Sequence, residues 1–315
     1  MSKLSGKIAI VGAGTVGASM AYACLIQGLG GTVALYDLDG DKTAAEVLDL
    51  NHGLQFVAPA RVIGSDDIAV CADADVVVIT AGAKQQPGQS RLDLAEANVR
   101  MCRTLVPQLL EVAPDTVLLL VTNPVDVLTY ATLQVSGLPP GRVIGSGTVL
   151  DSSRLRQLVA QFTGVGVRHV HAYIAGEHGD SEIPLWSTAS IGAVPLLAWR
   201  LPDRPELDRA ARDEILRGVV TSAETIIRGK GATNYAIGLA GARILEAILS
   251  DEQAVLPVSS LLSGDGLDDV CLSMPSIVGR RGLVTVLPTP LSEEEQAGLR
   301  ASADTVRGVI AKLGV

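Results

Sequence analysis

The sequence predicts an α/β protein built on a doubly wound parallel sheet, and three observations lead there. A glycine-rich turn, Gly12-Ala13-Gly14-Thr15-Val16-Gly17, stands directly behind the apolar run Ile8 to Val11. Two further runs, Asp75 to Thr80 and Val117 to Thr122, are almost continuously apolar, as strands buried on both faces must be. Helical segments separate these runs. Strands alternating with helices imply parallel pairing, with ligands gathered beyond the carboxyl ends of the strands.

Taken in order, Ile8 to Val11 is the first strand, and a helix follows over about 14–29, ending at Gly28, Gly30 and Gly31. Thr32 to Tyr36 is the second strand and closes on Asp37. The G-x-G-x-x-G pattern therefore sits between strand and helix, with an acid about 20 residues past its last glycine. Such a Rossmann-type turn lets a pyrophosphate approach the backbone and rest on the helix N-terminus. Asp37 would accept hydrogen bonds from the adenosine ribose hydroxyls. Asp37, Asp39 and Asp41 have no arginine among them and would repel a 2′-phosphate, which favours NAD over NADP.

A helix over 41–55, a weaker strand from Arg61 to Gly64 and a sixth strand from Arg142 to Gly145 complete this half. Asn123 and the stretch Ala81 to Arg91 both fall at carboxyl ends of strands. Ala81 to Ser90 is polar and rich in glycine and proline, and it leads into a helix over Leu92 to Glu111. It has the composition of a lid, with Arg91 at its end placed to swing over a substrate. The same composition also suits a plain surface loop.

The second half opens with a helix from Val149 to Phe162. Asp151 and Arg154 lie three residues apart, about 60° around one face, while Arg156 lies about 140° from Asp151 and faces elsewhere. An ordinary intrahelical ion pair has the same spacing as Asp151 and Arg154. Ala172 to Ala175 reads as a strand leading into Gly176-Glu177-His178-Gly179-Asp180-Ser181-Glu182-Ile183-Pro184. His178 stands between two glycines, so its imidazole is unshielded, and its ordinary pKa suits proton transfer. His171, seven residues earlier, is expected on the opposite face provided that the strand runs unbroken to His178, a parity that the turn residue Gly176 would spoil. Helices over 205–228 and 234–250, strands over 254–262, 270–277 and 282–287, and an amphipathic helix over 292–313 follow. The expected domains are 1–146, a dinucleotide-binding unit, and 147–315, an α+β substrate unit.

Composition narrows the partners. The 315 residues are 48% hydrophobic but only 3% aromatic, so the core is aliphatic. A net charge of −9 with no basic block argues against nucleic acid or an anionic membrane surface as partner. No segment reaches the ~18 to 20 apolar residues that cross a bilayer. Cys24, Cys71, Cys102 and Cys271 show neither C-x-x-C pairing nor metal-ligand spacing. Buried free thiols in a reducing, cytoplasmic setting and no metal site are expected.

Six ordered motifs resemble the L-lactate/malate dehydrogenase family along essentially the whole chain. They are Gly12 to Gly17 with Asp37, Ala81 to Arg91, Thr122-Asn123-Pro124, Asp151 with Arg154, Gly176 to Ser181, and Gly231-Ala232-Thr233. The resemblance implies that His178 is the general acid/base and that Asp151 fixes its tautomer. It implies that Arg154 clamps the substrate carboxylate as a planar fork and that Arg91 polarises the carbonyl. Asn123 and Thr233 would line the substrate pocket. Gly12, Gly14, Val16, Gly17, Asp37, Thr80, Gly82, Asn123 and Ile237 would contact NAD.

In the malate enzymes of this family, the position six residues before the lid arginine carries a second arginine. Here it is Gln85, which tolerates a methyl group but does not neutralise a second carboxylate. The resemblance therefore implies pyruvate and L-lactate as substrates. Malate dehydrogenase, or a broader L-2-hydroxy acid dehydrogenase, is the alternative, and Lys84 alongside is the one cation that favours it. Many bacterial members are activated by fructose 1,6-bisphosphate through an arginine and a histidine matching Arg156 and His171, and the family suggests a homotetramer.

Overall fold

The computed structural model describes residues 6–83, 91–200 and 202–315. Its first half alternates strand and helix: β1 (Lys7–Val11), α1 (Thr15–Gln27), β2 (Thr32–Tyr36), α2 (Gly40–His52), β3 (Arg61–Ser65), β4 (Val76–Ile79), α3 (Arg91–Val112), β5 (Val117–Leu120), α4 (Val125–Ser136) and β6 (Val143–Gly145). β4 and β5 are buried at every position, which is why both read as unbroken apolar runs. Gly28 and Gly137 end α1 and α4 in the left-handed conformation that only glycine adopts without strain.

The second half holds α5 (Val149–Thr163), β7 (Val170–His171), β8 (Ile174–Ala175), β9 (Ile183–Pro184), β10 (Ser190–Ile191), β11 (Val194–Pro195), α6 (Arg209–Lys230), α7 (Tyr235–Leu249), β12 (Ala254–Leu256), β13 (Ser259–Leu261), β14 (Cys271–Ser273), β15 (Ser276–Gly279), β16 (Gly282–Val286) and α8 (Glu293–Leu313). The runs expected as single strands over 254–262 and 270–277 are each two. Pro257 separates the first pair, and Pro275 stands between the members of the second. The strand expected over Ala172 to Ala175 is also shorter, because only Ile174 and Ala175 are paired.

The main sheet has eight strands in the order β14-β13-β6-β5-β4-β1-β2-β3. β1 to β6 run parallel, and β13 joins β6 antiparallel at Ser259 and Gly145. The sheet thus continues past the expected division at 146–147. Helix α7 also crosses it and lies on α1, where a Cβ on Gly241 would stand 2.2 Å from Met20 Cε. Gly241 and Gly238, which stands against the Ser19 backbone, permit the close approach, and one buried cluster accordingly mixes Met20 and Leu25 with Ile244 and Ile248. All four cysteines are buried and unpaired. No described helix is long and apolar enough to cross a membrane.

Candidate active site

The glycine-rich turn bridges β1 and α1 and opens onto a cavity of about 900 Å³. Gly12 has φ +104°, and a Cβ there would meet the Ala81 amide nitrogen at 2.7 Å. At Gly17 a Cβ would fall 2.0 Å from the Gly12 carbonyl oxygen, so this glycine is required for the helix to sit against the turn. Gly14, the N-cap of α1, has no atom within 4 Å of where its Cβ would stand. The open side of the turn faces a helix N-terminus, and that combination fits the diphosphate of a dinucleotide.

Asp37 ends β2 at the same cavity. Its carboxylate accepts from the Ala13 amide at 2.8 Å and from Lys42 Nζ at 3.2 Å. Burial opposes its ionisation. The amide of Asp39, then Lys42 and the Ala13 amide, outweigh that and hold its pKa below the usual carboxylate range. Lys42 is a cation that the absence of arginine had hidden, and it offsets part of the negative charge expected there. Val16, Thr80 and Gly82 also line the cavity, and α3 contributes Met101 and Gln108. The Thr80 hydroxyl lies 3.0 Å from both the Val11 and the Gly12 carbonyls, fastening β4 to the turn. Asn123 and Ile237 lie outside this lining.

Three predicted side chains meet at the start of α5. Asp151 Oδ2 is 2.5 Å from His178 Nδ1, and Asp151 Oδ1 accepts from Arg154 Nη1 at 2.6 Å. One buried carboxylate therefore orients both the imidazole and the guanidinium. Asp151 is 2% exposed at its side chain, whereas His178 is 25% exposed, and its Nε2 is left free of the bond to Asp151. Burial works against charge on both. The His178 charge and hydrogen bond, then Arg154, nevertheless hold the Asp151 carboxyl below its ordinary range. Burial would likewise lower His178, but Asp151 dominates, with help from Asp126 and Glu182, and lifts it to about 9.

Asp126, Glu182 and Asn98 belong to this region and were not singled out by the sequence. Asp126, in α4, accepts from the His178 backbone amide at 2.7 Å and from Ser259 Oγ at 2.6 Å. Burial raises its pKa to about 6 in spite of both bonds. A lone acid within the apolar stretch Val125 to Leu133 was the available signal. Asn98 in α3 receives the Ala83 amide and donates to the Asn123 carbonyl, tying two strand-end loops together. The Asn123–Pro124 peptide is cis. Glu182 stood in the Gly176–Pro184 stretch without a role, and nothing in the sequence marked its burial.

The remaining expected residues are placed as follows. Arg91 begins α3. Gln85 and Lys84 lie outside the described residues. Thr233 and Ile237 flank the start of α7, where Asn234 donates to Ser19 Oγ on α1 at 2.8 Å. No hydrogen bond joins Thr233 to His178, Asp151 or Arg154 among the described residues. Arg156 points away from Arg154: its Nε donates to the Ala172 carbonyl at 2.9 Å, and its guanidinium lies 4.8 Å from the Tyr173 ring centre. That fastens it beside exposed His171, which pairs with Ser190. The parity expected between His171 and His178 does not hold as a strand argument. The chain leaves the ladder at Ala172 and Tyr173 and turns at Gly176, φ +87°.

Known proteins match this chain along nearly its whole length. The family described as lactate/malate dehydrogenase, NAD binding domain, matches residues 6–145, and its alpha/beta C-terminal domain matches 148–314. The chain is 52% identical over 310 residues to an L-lactate dehydrogenase of Bifidobacterium animalis subsp. lactis, covering 98% of this chain and 97% of the relative. It is 45% identical over 310 residues to one of Thermoanaerobacter sp., covering 98% and 99%. Among solved structures, a minor L-lactate dehydrogenase from Enterococcus mundtii superposes with a TM-score of 0.94 at 39% identity, covering 98% and 99% of the two chains. A lactate dehydrogenase from a deep-sea metagenome library gives 0.94 at 38%, covering 99% of each.

Proposed function

Because this chain belongs to the lactate/malate dehydrogenase family and is an NAD-dependent oxidoreductase, we propose that it interconverts pyruvate and L-lactate. The observation that carries the reading is the single carboxylate of Asp151 bonded to both His178 and Arg154. With Nδ1 committed to Asp151, the proton to be transferred resides on His178 Nε2. Arg154 keeps free donors with which to grip the substrate carboxylate in a planar fork. Bound NADH supplies a hydride to the ketone carbon. His178 gives its proton to the ketone oxygen, and Asp151 stabilises the imidazolium beforehand and holds the ring's tautomer afterwards. Arg91 polarises the carbonyl, Asn123 hydrogen-bonds near the same oxygen, Thr233 lines the substrate pocket, and Gln85 is the residue by which the sequence selects a methyl group over a second carboxylate. Gly12, Gly14, Val16, Gly17, Asp37, Thr80 and Gly82, which line the cavity, would hold the dinucleotide, and Asn123 and Ile237 outside that lining would complete its contacts.

Pyruvate is favoured over oxaloacetate because position 85 is a neutral glutamine. The names of the similar proteins support the same choice. A regulatory site for fructose 1,6-bisphosphate at Arg156 and His171 is supported by the bond from Arg156 to the carbonyl of Ala172, the residue that follows exposed His171. A homotetramer is supported by the large apolar side chains left exposed on α1, α2 and α7, including Tyr22, Ile26, Leu48 and Tyr235. The buried free thiols support a cytoplasmic setting. The domain division at 146–147 is part of the same reading. A substrate panel with NADH, run with and without fructose 1,6-bisphosphate, tests these points together. Pyruvate should be the preferred substrate and the bisphosphate should lower its half-saturation point. Preference for oxaloacetate would refute the assignment of Gln85, and an unchanged half-saturation point would remove the regulatory site.

A further inference from the structure

Glu182 is a buried acid with no assigned task, and it stands beside the groups that would move the proton. It follows His178 on the turn that joins β8 to β9, and it is 8% exposed. Atoms of Asp151, His178 and Glu182 all lie within 4.8 Å of one another. Glu182 Oε1 is buried and has no hydrogen-bond partner among the described residues. A carboxylate anion so placed is costly, whereas a neutral carboxyl is tolerable. Among the described residues, the charged groups facing this site come from three elements: Asp151 and Arg154 from α5, Asp126 from α4, and Asp180 with His178 on the turn itself.

We propose that Glu182 is a positioning residue whose buried carboxyl titrates jointly with the His178–Asp151 pair, and that its ionisation keeps His178 protonated into the alkaline range. This rests on the reading of His178 as the proton donor. The sign follows from charge alone. When Glu182 is neutral, His178 is held protonated by Asp151 and, more weakly, by Asp126. When Glu182 loses its proton, a second anion appears beside the imidazolium and makes its proton harder to remove. Burial, followed by the neighbouring Asp151 charge, moves the Glu182 carboxyl up to about 8, inside the range where His178 also titrates. Groups this close lose their protons as a unit rather than as independent acids. Asp126 does not substitute for Glu182, because its oxygens are taken by the His178 amide and Ser259.

The test compares the wild type, Glu182→Gln and Glu182→Asp in two measurements. The first is the pH profile of kcat/KM for pyruvate reduction. The second is the NMR titration of the His178 ring in histidine-labelled protein, which does not depend on turnover. In Glu182→Gln both the alkaline limb and the ring titration should move down by about one pH unit, the size expected for one charge lost at this distance in a partly solvated site. Glu182→Asp restores the charge and should recover part of the shift. In the wild type alone the His178 curve should be broader than a single ionisation, so the idea stands or falls even if Glu182→Gln does not fold. Superimposable profiles and ring titrations for wild type and Glu182→Gln, or a single-ionisation curve in the wild type, overturn it. If instead His178→Ala still reduces pyruvate at a near-native rate, the proton-donor reading fails, while the ring titration judges Glu182 separately.

Discussion

At the residue scale, His178 and Asp37 make opposite use of a buried-side carboxylate. Asp151 raises the proton affinity of His178, so in the proposed reaction the reduction of pyruvate should decline as pH climbs through about 9 and the oxidation of lactate should gain. Replacing His178 by Ala removes the proton donor without touching the cofactor cavity. Turnover should fall by about 10²- to 10⁴-fold while NADH still quenches or enhances fluorescence at the same concentration. Asp37 instead spends its carboxylate on the Ala13 amide and on the ribose expected there. Asp37→Ser should weaken NADH by about 10- to 100-fold, the effect of losing hydrogen bonds to a charged group. Because Lys42 then loses its anion, the same variant should use NADPH better than the wild type does. Steady-state kinetics with both cofactors checks this, and an unchanged NADH-to-NADPH ratio would count against Asp37 as the discriminating residue.

Elements differ in how much of them the sequence discloses. Glycine in the left-handed conformation marks helix ends chemically at Gly28, Gly137, Gly164, Gly231 and Gly314, and of these the sequence reading used Gly28, while α4 before Gly137 was not expected. The start of α8 was equally plain: Ser292 and Glu295 form a reciprocal capping box. Buried parallel strands such as β4 and β5 were legible from their unbroken apolar runs. The short strands of the second half were not, since period-two patterning does not show where Gly176 or Pro257 breaks a ladder. Nor did it show that β13 and β14 would extend the main sheet. In the site, His178, Asp151 and Arg154 were readable from type and spacing, whereas Asp126 and Glu182 owe their roles to burial by distant elements. Asp126 joins α4, β13 and the His178 turn through one carboxylate. Asp126→Ala should therefore leave the His178 amide and the Ser259 hydroxyl unpaired, costing about 3 kcal/mol or more of stability and lowering turnover as well. Asp126→Asn keeps one acceptor and should cost less. Urea titrations and kcat for the pair decide it, and a neutral Asp126→Ala would show that the turn is held elsewhere.

For the whole molecule, the perturbed groups at the meeting of α4, α5 and the His178 turn predict how stability varies with pH. His178 is lifted from 6.5 to about 9, so its contribution is complete below about 6.5 and is lost as pH rises through 9. Glu182 is lifted from 4.5 to about 8, so the folded state keeps a proton that the unfolded chain has released, and stability falls over that interval. Asp126, lifted from 3.8 to about 6, acts in the same sense over a lower range. Within this cluster Asp151 opposes them. Held below 3.8, it adds stability at higher pH that is lost only as pH falls through its lowered value. The net charge of −9 adds self-repulsion that also grows with pH. These contributions agree in sign between pH 5.5 and 9, so the urea midpoint should decrease steadily across that range. Glu182→Gln carries no proton to retain, and its midpoint should fall less between pH 5.5 and 8. A midpoint at pH 9 equal to or above that at pH 5.5 would mean that contacts elsewhere in the chain, not this cluster, govern its response to pH.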